Sequence, residues 1–282
     1  MMSVRPYAKR AMGQNFLVHK GTCETIARLS GLTIGDTVVE LGVGLGALTH
    51  ALAPRVKRVI GIELDRRMIE YLEAQGGVAP NVEIRNEDML YVSYKALADE
   101  LGSRLKIIGN LPYNISSRML FKLIEEQEAI DLAILMFQKE VADRLLSGPG
   151  CKDYGILSII VGYCTEISRL INIPPGLFRP IPKVVSTVIK LKFRPPQREA
   201  LSFGLFLNLV KAGFGRRRKK LSNALRSLSD LDEGLVLKGL SECGIDPSHR
   251  AEALSIDDFV RLSNWLYDAS RTGLGYSLTG RI

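Results

Sequence analysis

The sequence of 282 residues has no Cys-x-x-Cys pair; Cys23, Cys151, Cys164 and Cys243 lie far apart. Zinc-ribbon and disulfide-scaffold folds are thereby excluded, and reduced, ordinarily packed thiols are expected. The three histidines, His19, His50 and His249, are equally dispersed, so no histidine-built metal site is expected. No apolar run is long enough to cross a bilayer, since the longest nearly apolar stretch is only Gly155 to Cys164. No apolar stretch follows the first basic residues, so there is no sign of a secretory leader. Internal repeats and low-complexity segments are missing too. What remains is 46% hydrophobic and 24% charged, the balance of a soluble globular protein of the cytoplasm. The length suits one full α/β domain with a smaller second one.

Acidic residues are missing where basic ones concentrate. No Asp or Glu precedes Glu24, and that stretch holds Arg5, Lys9, Arg10 and Lys20. Five more cations are consecutive, Arg216, Arg217, Arg218, Lys219 and Lys220. Without those nine, 29 basic residues face 30 acidic ones, so the net charge of +8 resides in two short segments. Charge placed this way favours a polyanion, because each phosphate neutralised releases counterions. The plainer alternative is two solvated basic faces.

Short β-branched strands are expected at 37–41, 58–63, 82–85, 105–109 and 132–137, with helices at 46–53, from Asp65 onward, and at 116–124. Such alternation implies an α/β domain with a mostly parallel sheet covered on both faces. Further strands are expected at 167–173 and 187–193. Arg194-Pro195-Pro196 marks a boundary, since paired prolines stop either element. Beyond it, Phe206, Leu209, Val210, Phe214, Leu221, Leu225 and Leu228 recur at helical spacing, and 255–267 completes a small all-helical domain. The expected domains are 1–194 and 199–282.

Glu40-Leu41-Gly42-Val43-Gly44-Leu45-Gly46-Ala47 follows the first of these strands directly. Its glycines let backbone approach a ligand closely. Gly42-x-Gly44-x-x-Ala47 also fits a dinucleotide fingerprint, and Glu63, at the end of the next strand, suits the ribose of either a dinucleotide or S-adenosylmethionine. Glu40 before the glycines, and Asp88 after the third strand, favour the second ligand, because its sulfonium is positive. Asp88 would accept from the adenine amino group, although an N-cap role fits it equally.

Asn110-Leu111-Pro112-Tyr113 is the most informative segment. The exocyclic amine of adenine is a poor nucleophile because its lone pair is delocalised into the ring. The Asn110 side-chain oxygen and the Leu111 carbonyl can accept from its two N–H groups and free that lone pair. Pro112 fixes the turn, and Tyr113 offers a face on which the base stacks.

With these residues, Gln14-Asn15-Phe16-Leu17, Gln138-Lys139-Glu140-Val141-Ala142, Phe178-x-Pro180-x-Pro182-Lys183-Val184 and Phe214-Gly215-Arg216-Arg217-Arg218-Lys219-Lys220-Leu221 complete a set of ordered motifs. Along almost its whole length the chain resembles the KsgA/RsmA ribosomal RNA adenine dimethyltransferases. The resemblance implies a Rossmann-like class I methyltransferase domain with a small C-terminal all-helical domain. It implies S-adenosyl-L-methionine as cofactor, held by Asn15, Leu17, Gly42, Gly44, Glu63, Asp88, Met89 and Asn110. Phe178 would help Tyr113 hold the base. The two basic segments, Arg5, Lys9 and Arg10 with Arg216 to Lys220, would hold RNA. The substrate would be 16S rRNA of the small ribosomal subunit, at two adjacent adenosines in a hairpin loop near its 3′ end, dimethylated at N6 by a monomer. Val185 and Glu87 depart from the family pattern without touching this chemistry. Two alternatives are the macrolide-resistance 23S rRNA adenine methyltransferases and an assembly factor that acts mainly by binding.

Overall fold

A computed structural model describes residues 6–8, 13–226 and 233–271. Contacts divide the chain into two units, Met1–Ala142 with Glu166–Arg194, and Asp143–Thr165 with Pro195–Ile282. The later boundary falls at the paired prolines, but the second unit also takes a segment from within the stretch expected to form the first domain. The physical reason is the apolar run: Ile156–Cys164 is a helix whose Tyr163 packs 4.9 Å from the Phe206 ring and 5.8 Å from that of Phe203. Tyr154, just before it, donates its hydroxyl to the Leu254 carbonyl at 3.0 Å. That surface is buried among aromatic side chains of the helical unit.

Among the described residues, the first unit is built on nine strands, β1 (Phe16–Leu17), β2 (Thr37–Leu41), β3 (Arg58–Ile62), β4 (Val82–Arg85), β5 (Leu105–Gly109), β6 (Ile130–Gln138), β7 (Thr165–Ile173), β8 (Phe178–Arg179) and β9 (Ser186–Phe193). Seven form one sheet in the order β4-β3-β2-β5-β6-β9-β7. The five strands from β4 to β6 pair in parallel, and β9 runs antiparallel to β6. Val38, Val39 and Leu41 are fully buried, as a central parallel strand covered on both faces requires. Helices α1 (Lys20–Leu29), α2 (Ala47–Leu52), α3 (Arg66–Ala74), α4 (Tyr94–Leu101) and α5 (Ser116–Glu125) connect and flank the strands. Asp65 caps α3, its side chain accepting from the Arg67 amide. The short pair β1–β8, antiparallel with Leu17 opposite Phe178, has no counterpart among the expected strands. Two-residue strands are too short to display an alternating pattern.

Helix α6 (Lys139–Leu146) carries the chain into the second unit. There α7 (Ile156–Cys164), α8 (Phe203–Gly215), α9 (Leu221–Leu225), α10 (Glu233–Glu242) and α11 (Ile256–Arg271) enclose an aromatic core of Phe206, Phe214 and Phe259. Leu228, expected in that core, lies outside the described residues. Cys23, Cys164 and Cys243 are buried, whereas Cys151 is exposed and so is not the packing residue expected.

Strands β2 and β5 approach most closely at Gly109, where an added Cβ would stand 2.7 Å from the Leu41 carbonyl oxygen. Backbone cannot yield there as a side chain can. Gly109→Ala is expected to destabilise the protein by about 1–3 kcal/mol. Gly204→Ala, where the new methyl meets nothing nearer than Ser202 Oγ at 3.9 Å, should be neutral or slightly stabilising. Urea unfolding of the two variants checks the contrast.

Candidate active site

The chain leaves β2, builds outward through β3 and β4, and returns to the other side of β2 as β5. Strand order reverses there, and a crevice opens beyond the carboxyl ends of the two central strands. Leu41 and Gly109 are register partners at that end, so the loop after β2 and the loop after β5 face one cavity of about 280 Å³.

Gly42, Gly44 and Gly46 have φ of 78°, 55° and 76°, conformations that side chains resist. This winding turns the Gly44 amide to Glu63 Oε2 at 2.7 Å, and Glu63 Oε1 accepts from the Asp65 amide at 2.8 Å. Each Glu63 oxygen keeps a lone pair for a hydroxyl. Burial pushes the Glu63 carboxyl above its usual range, opposed by those two amides. Asp88 Oδ1 accepts from the Leu90 amide at 2.9 Å, closing a turn rather than capping a helix, and Oδ2 has no partner among the described residues. Met89 is buried beside the glycine loop, its Cε 3.5 Å from where a Gly42 Cβ would stand.

Glu40 is 1% exposed, lines the same cavity, and its Oε2 has no hydrogen-bond partner. The Thr49 hydroxyl nearby is also buried without a sound bond. Burial, opposed by the neighbouring Thr49 and reinforced by the charge of Glu63, pushes the Glu40 carboxyl up to about 8. A buried acid with an idle oxygen suits a ligand that brings positive charge and N–H donors.

Opposite the acids, the Asn110 amide group donates to the Asn15 carbonyl at 2.9 Å. Only the NH₂ end can do so, which leaves Oδ1 as an acceptor with no partner among the described residues. Asn15, Leu17, Leu111 and Pro112 line the cavity as well. Tyr113 does not; its half-buried ring stands one residue beyond Pro112, its hydroxyl 2.6 Å from Ser186 Oγ. Burial raises its phenol above the ordinary range, partly offset by Ser186.

Phe178 is placed differently from expectation. It is fully buried, packs in the core with Leu17, and is absent from the cavity lining. In this arrangement its ring packs in the core beside the strand that follows Asn15. Sequence reasoning also missed Ser186, Asn114 and Arg118; the last two line the cavity, and the only cue was proximity to the Asn-Leu-Pro-Tyr segment.

In the second unit, Arg216 to Lys220 form an exposed turn between α8 and α9. Arg217 is partly engaged within that unit: its Nε lies 3.0 Å from Glu252 Oε2, and it donates to the Lys152 carbonyl. Arg5, Lys9 and Arg10 lie outside the described residues.

The family model described as "Ribosomal RNA adenine dimethylase" matches residues 6–268. "Ribosomal RNA small subunit methyltransferase A" of Desulfotalea psychrophila is 42% identical over 265 residues, covering 90% of each chain. The protein of that name from Caldanaerobacter subterraneus is 40% identical over 263 residues, covering 92% of this chain and 97% of its own. Among solved structures, a dimethyladenosine transferase from Plasmodium falciparum is similar at 27% identity with a TM-score of 0.75, covering 92% and 98%. The 23S rRNA methyltransferase ErmE is similar at 25% identity with a TM-score of 0.66, covering 89% and 99%.

Glu40 generates a pH signature. In the unfolded chain a glutamate titrates near about 4.3. Between that pH and about 8 the folded protein retains a proton that the unfolded chain has released. This residue's contribution to stability therefore falls as pH rises through that window and levels off above it. Glu40→Gln is neutral at every pH, so its urea midpoint relative to wild type should climb between pH 5 and 8. A difference that is constant with pH would contradict the assignment.

Proposed function

The chain belongs to the ribosomal RNA adenine dimethylase family, and from that premise we propose that it methylates N6 of two adjacent adenosines in a hairpin loop near the 3′ end of 16S rRNA, dimethylating each during small-subunit maturation. S-adenosyl-L-methionine is the methyl donor; when bound, it supplies an electrophilic methyl group on a positive sulfur. The cavity suits it: three acids line the wall, one with an idle buried oxygen, and left-handed glycines keep the backbone open. Glu63 takes the ribose hydroxyls, Asp88 the adenine amino group beside Met89, and Asn15 and Leu17 the methionine end, with Gly42 and Gly44 supplying backbone.

The observation that carries the reading is the fixed Asn110. Because its NH₂ is spent on Asn15, its oxygen is held ready as an acceptor. Asn110 Oδ1 and the Leu111 carbonyl accept from the target amine, drawing its lone pair out of the ring. Pro112 sets the corner, and the Tyr113 ring, held through its hydroxyl by Ser186, offers the stacking face. N6 loses its proton after the transfer, so no strong base is required, and positioning supplies most of the catalysis. Phe178 acts here by supporting β1. A paired base cannot enter such a pocket, so the adenosine is taken unpaired from the loop or flipped.

The small-subunit substrate is preferred to the 23S alternative because the small-subunit relatives are about 40% identical across most of the chain, whereas ErmE is 25% identical. We assign RNA binding to the helical unit of the expected 199–282 domain and to the amino-terminal arm with Arg5, Lys9 and Arg10. We read the protein as a cytoplasmic monomer; no helix among the described residues is long and apolar enough to cross a membrane.

The direct test is incubation with labelled S-adenosylmethionine and unmethylated small subunits, then mapping of the modified nucleotides. Methylation of large subunits instead would reject the assignment. Asn110→Ala should lower kcat by about 10²–10³-fold, as loss of an oriented acceptor does. Tyr113→Phe should stay active and Tyr113→Ala should not. Neutralising Arg216 and Arg218 together should weaken RNA binding and reduce the slope of log K against log salt by about 0.9 per lost phosphate contact. Arg217→Gln should chiefly lower thermal stability, because Arg217 already serves Glu252 and Lys152.

A further inference from the structure

Three acids line the cavity, Glu40, Glu63 and Asp88, and among the described residues one cation joins them, Arg118. It stands in the first turn of α5, exposed, and makes no hydrogen bond or ion pair with any described residue. Several other arginines of the same unit are paired. Arg58 pairs with Glu83, Arg67 with Asp65 at 2.5 Å, and Arg85 with Glu100 at 2.6 Å. A lone, unpaired guanidinium at the mouth of an acidic cavity therefore asks for an anion that the protein itself does not supply.

Its backbone is tied to the chemistry. Ser116 Oγ donates to the Tyr113 carbonyl at 3.0 Å, and the Ile115 amide donates to that of Pro112 at 3.1 Å. The turn bearing Arg118 is thus fixed to the corner that presents the base-stacking ring. A single adenosine drawn into the cavity brings the phosphodiesters on either side of it, and these would meet an acidic wall. A guanidinium offers two parallel N–H donors to such a phosphate. The carboxylate of the methionine end is the weaker candidate. That end is assigned to Asn15 and Leu17, and Leu17 is buried, whereas Arg118 is exposed.

We propose that Arg118 binds a phosphodiester flanking the target adenosine and so positions the nucleotide at the Asn110–Tyr113 corner. The inference rests on the reading of the cavity as an adenine N6 methylation site. Arg118 acts on RNA placement and takes no part in activating the amine. It is a contact separate from the basic turn of the helical unit.

The test compares wild type, Arg118→Gln and Arg118→Lys as full chains. The readouts are affinity for S-adenosylmethionine by calorimetry and methylation of unmethylated small subunits at several salt concentrations. For Arg118→Gln, KM for the subunit should rise by about tenfold, the effect falling on KM rather than kcat. The log–log salt slope should shrink by about 1. Arg118→Lys should recover most of both, because the charge is retained, and the affinity for S-adenosylmethionine should be the same in all three. Weakened cofactor binding with an unaltered KM for RNA would assign the guanidinium to the methionine carboxylate and overturn the proposal. Unaltered values throughout would make it a solvated surface residue, again overturning it. If wild type binds S-adenosylmethionine but methylates no subunit, the underlying reading fails first and the phosphate assignment falls with it.

Discussion

The parallel pairing of β2 with β5 is the constraint on which the rest depends. It sets Leu41 against Gly109, and with them the first residues of two loops that are far apart in sequence. One loop holds left-handed glycines and the other a proline corner. Neither makes a site alone. Placed on neighbouring strands, they line one cavity, to which one loop brings left-handed glycines and the other the oriented Asn110 amide. The close approach at Gly109 is the cost of this arrangement, since only hydrogen can occupy that position without displacing backbone.

Electrostatics explain why the site is strained when considered alone. Glu40 and Glu63 are both buried and both pushed up by that burial, and the charge of Glu63 adds to the effect on Glu40. A structural core would not retain two neighbouring acids, one with an unpaired oxygen, without compensation from elsewhere. A cationic ligand supplies that compensation. The dinucleotide alternative that the glycine pattern left open would bring phosphates to this acidic wall and worsen its balance. The family match and the charge of the cavity therefore point the same way by independent routes.

Much of the fold was legible because its strands are short, β-branched and bounded by glycine or proline. The central strands from β2 to β5 lie within a residue of expectation, and β6 extends further at both ends, because Ile130 pairs with Leu105 of β5 and Gln138 with Ser186 of β9. The helical unit was legible from spacing, except for α7, whose uniform apolarity gave no sign of which unit buries it. The site was readable as glycine, acid and proline motifs. Its finer content was not, because it depends on contacts between distant residues. Nothing local links Asn110 to Asn15, Tyr113 to Ser186 or Phe178 to Leu17. Phe178 shows the limit most plainly: an aromatic in a shared motif suggests a clamp for a base, yet its side chain is fully buried in the core with Leu17.

The clasp between β1 and β8 also bears on when the enzyme can come into being. Asn15 is synthesised well before its neighbours in space, since the strand beside it finds its partner at Phe178 and Arg179, some 160 positions later. A nascent chain can lay down the glycine turn and the proline corner long before that latch arrives. Until then the segment bearing Asn15 has no edge to pair with. Fixing of the segment that bears Asn15 is thus tied to near-completion of the sheet-bearing unit, because the edge it pairs with is among the last strands to be made.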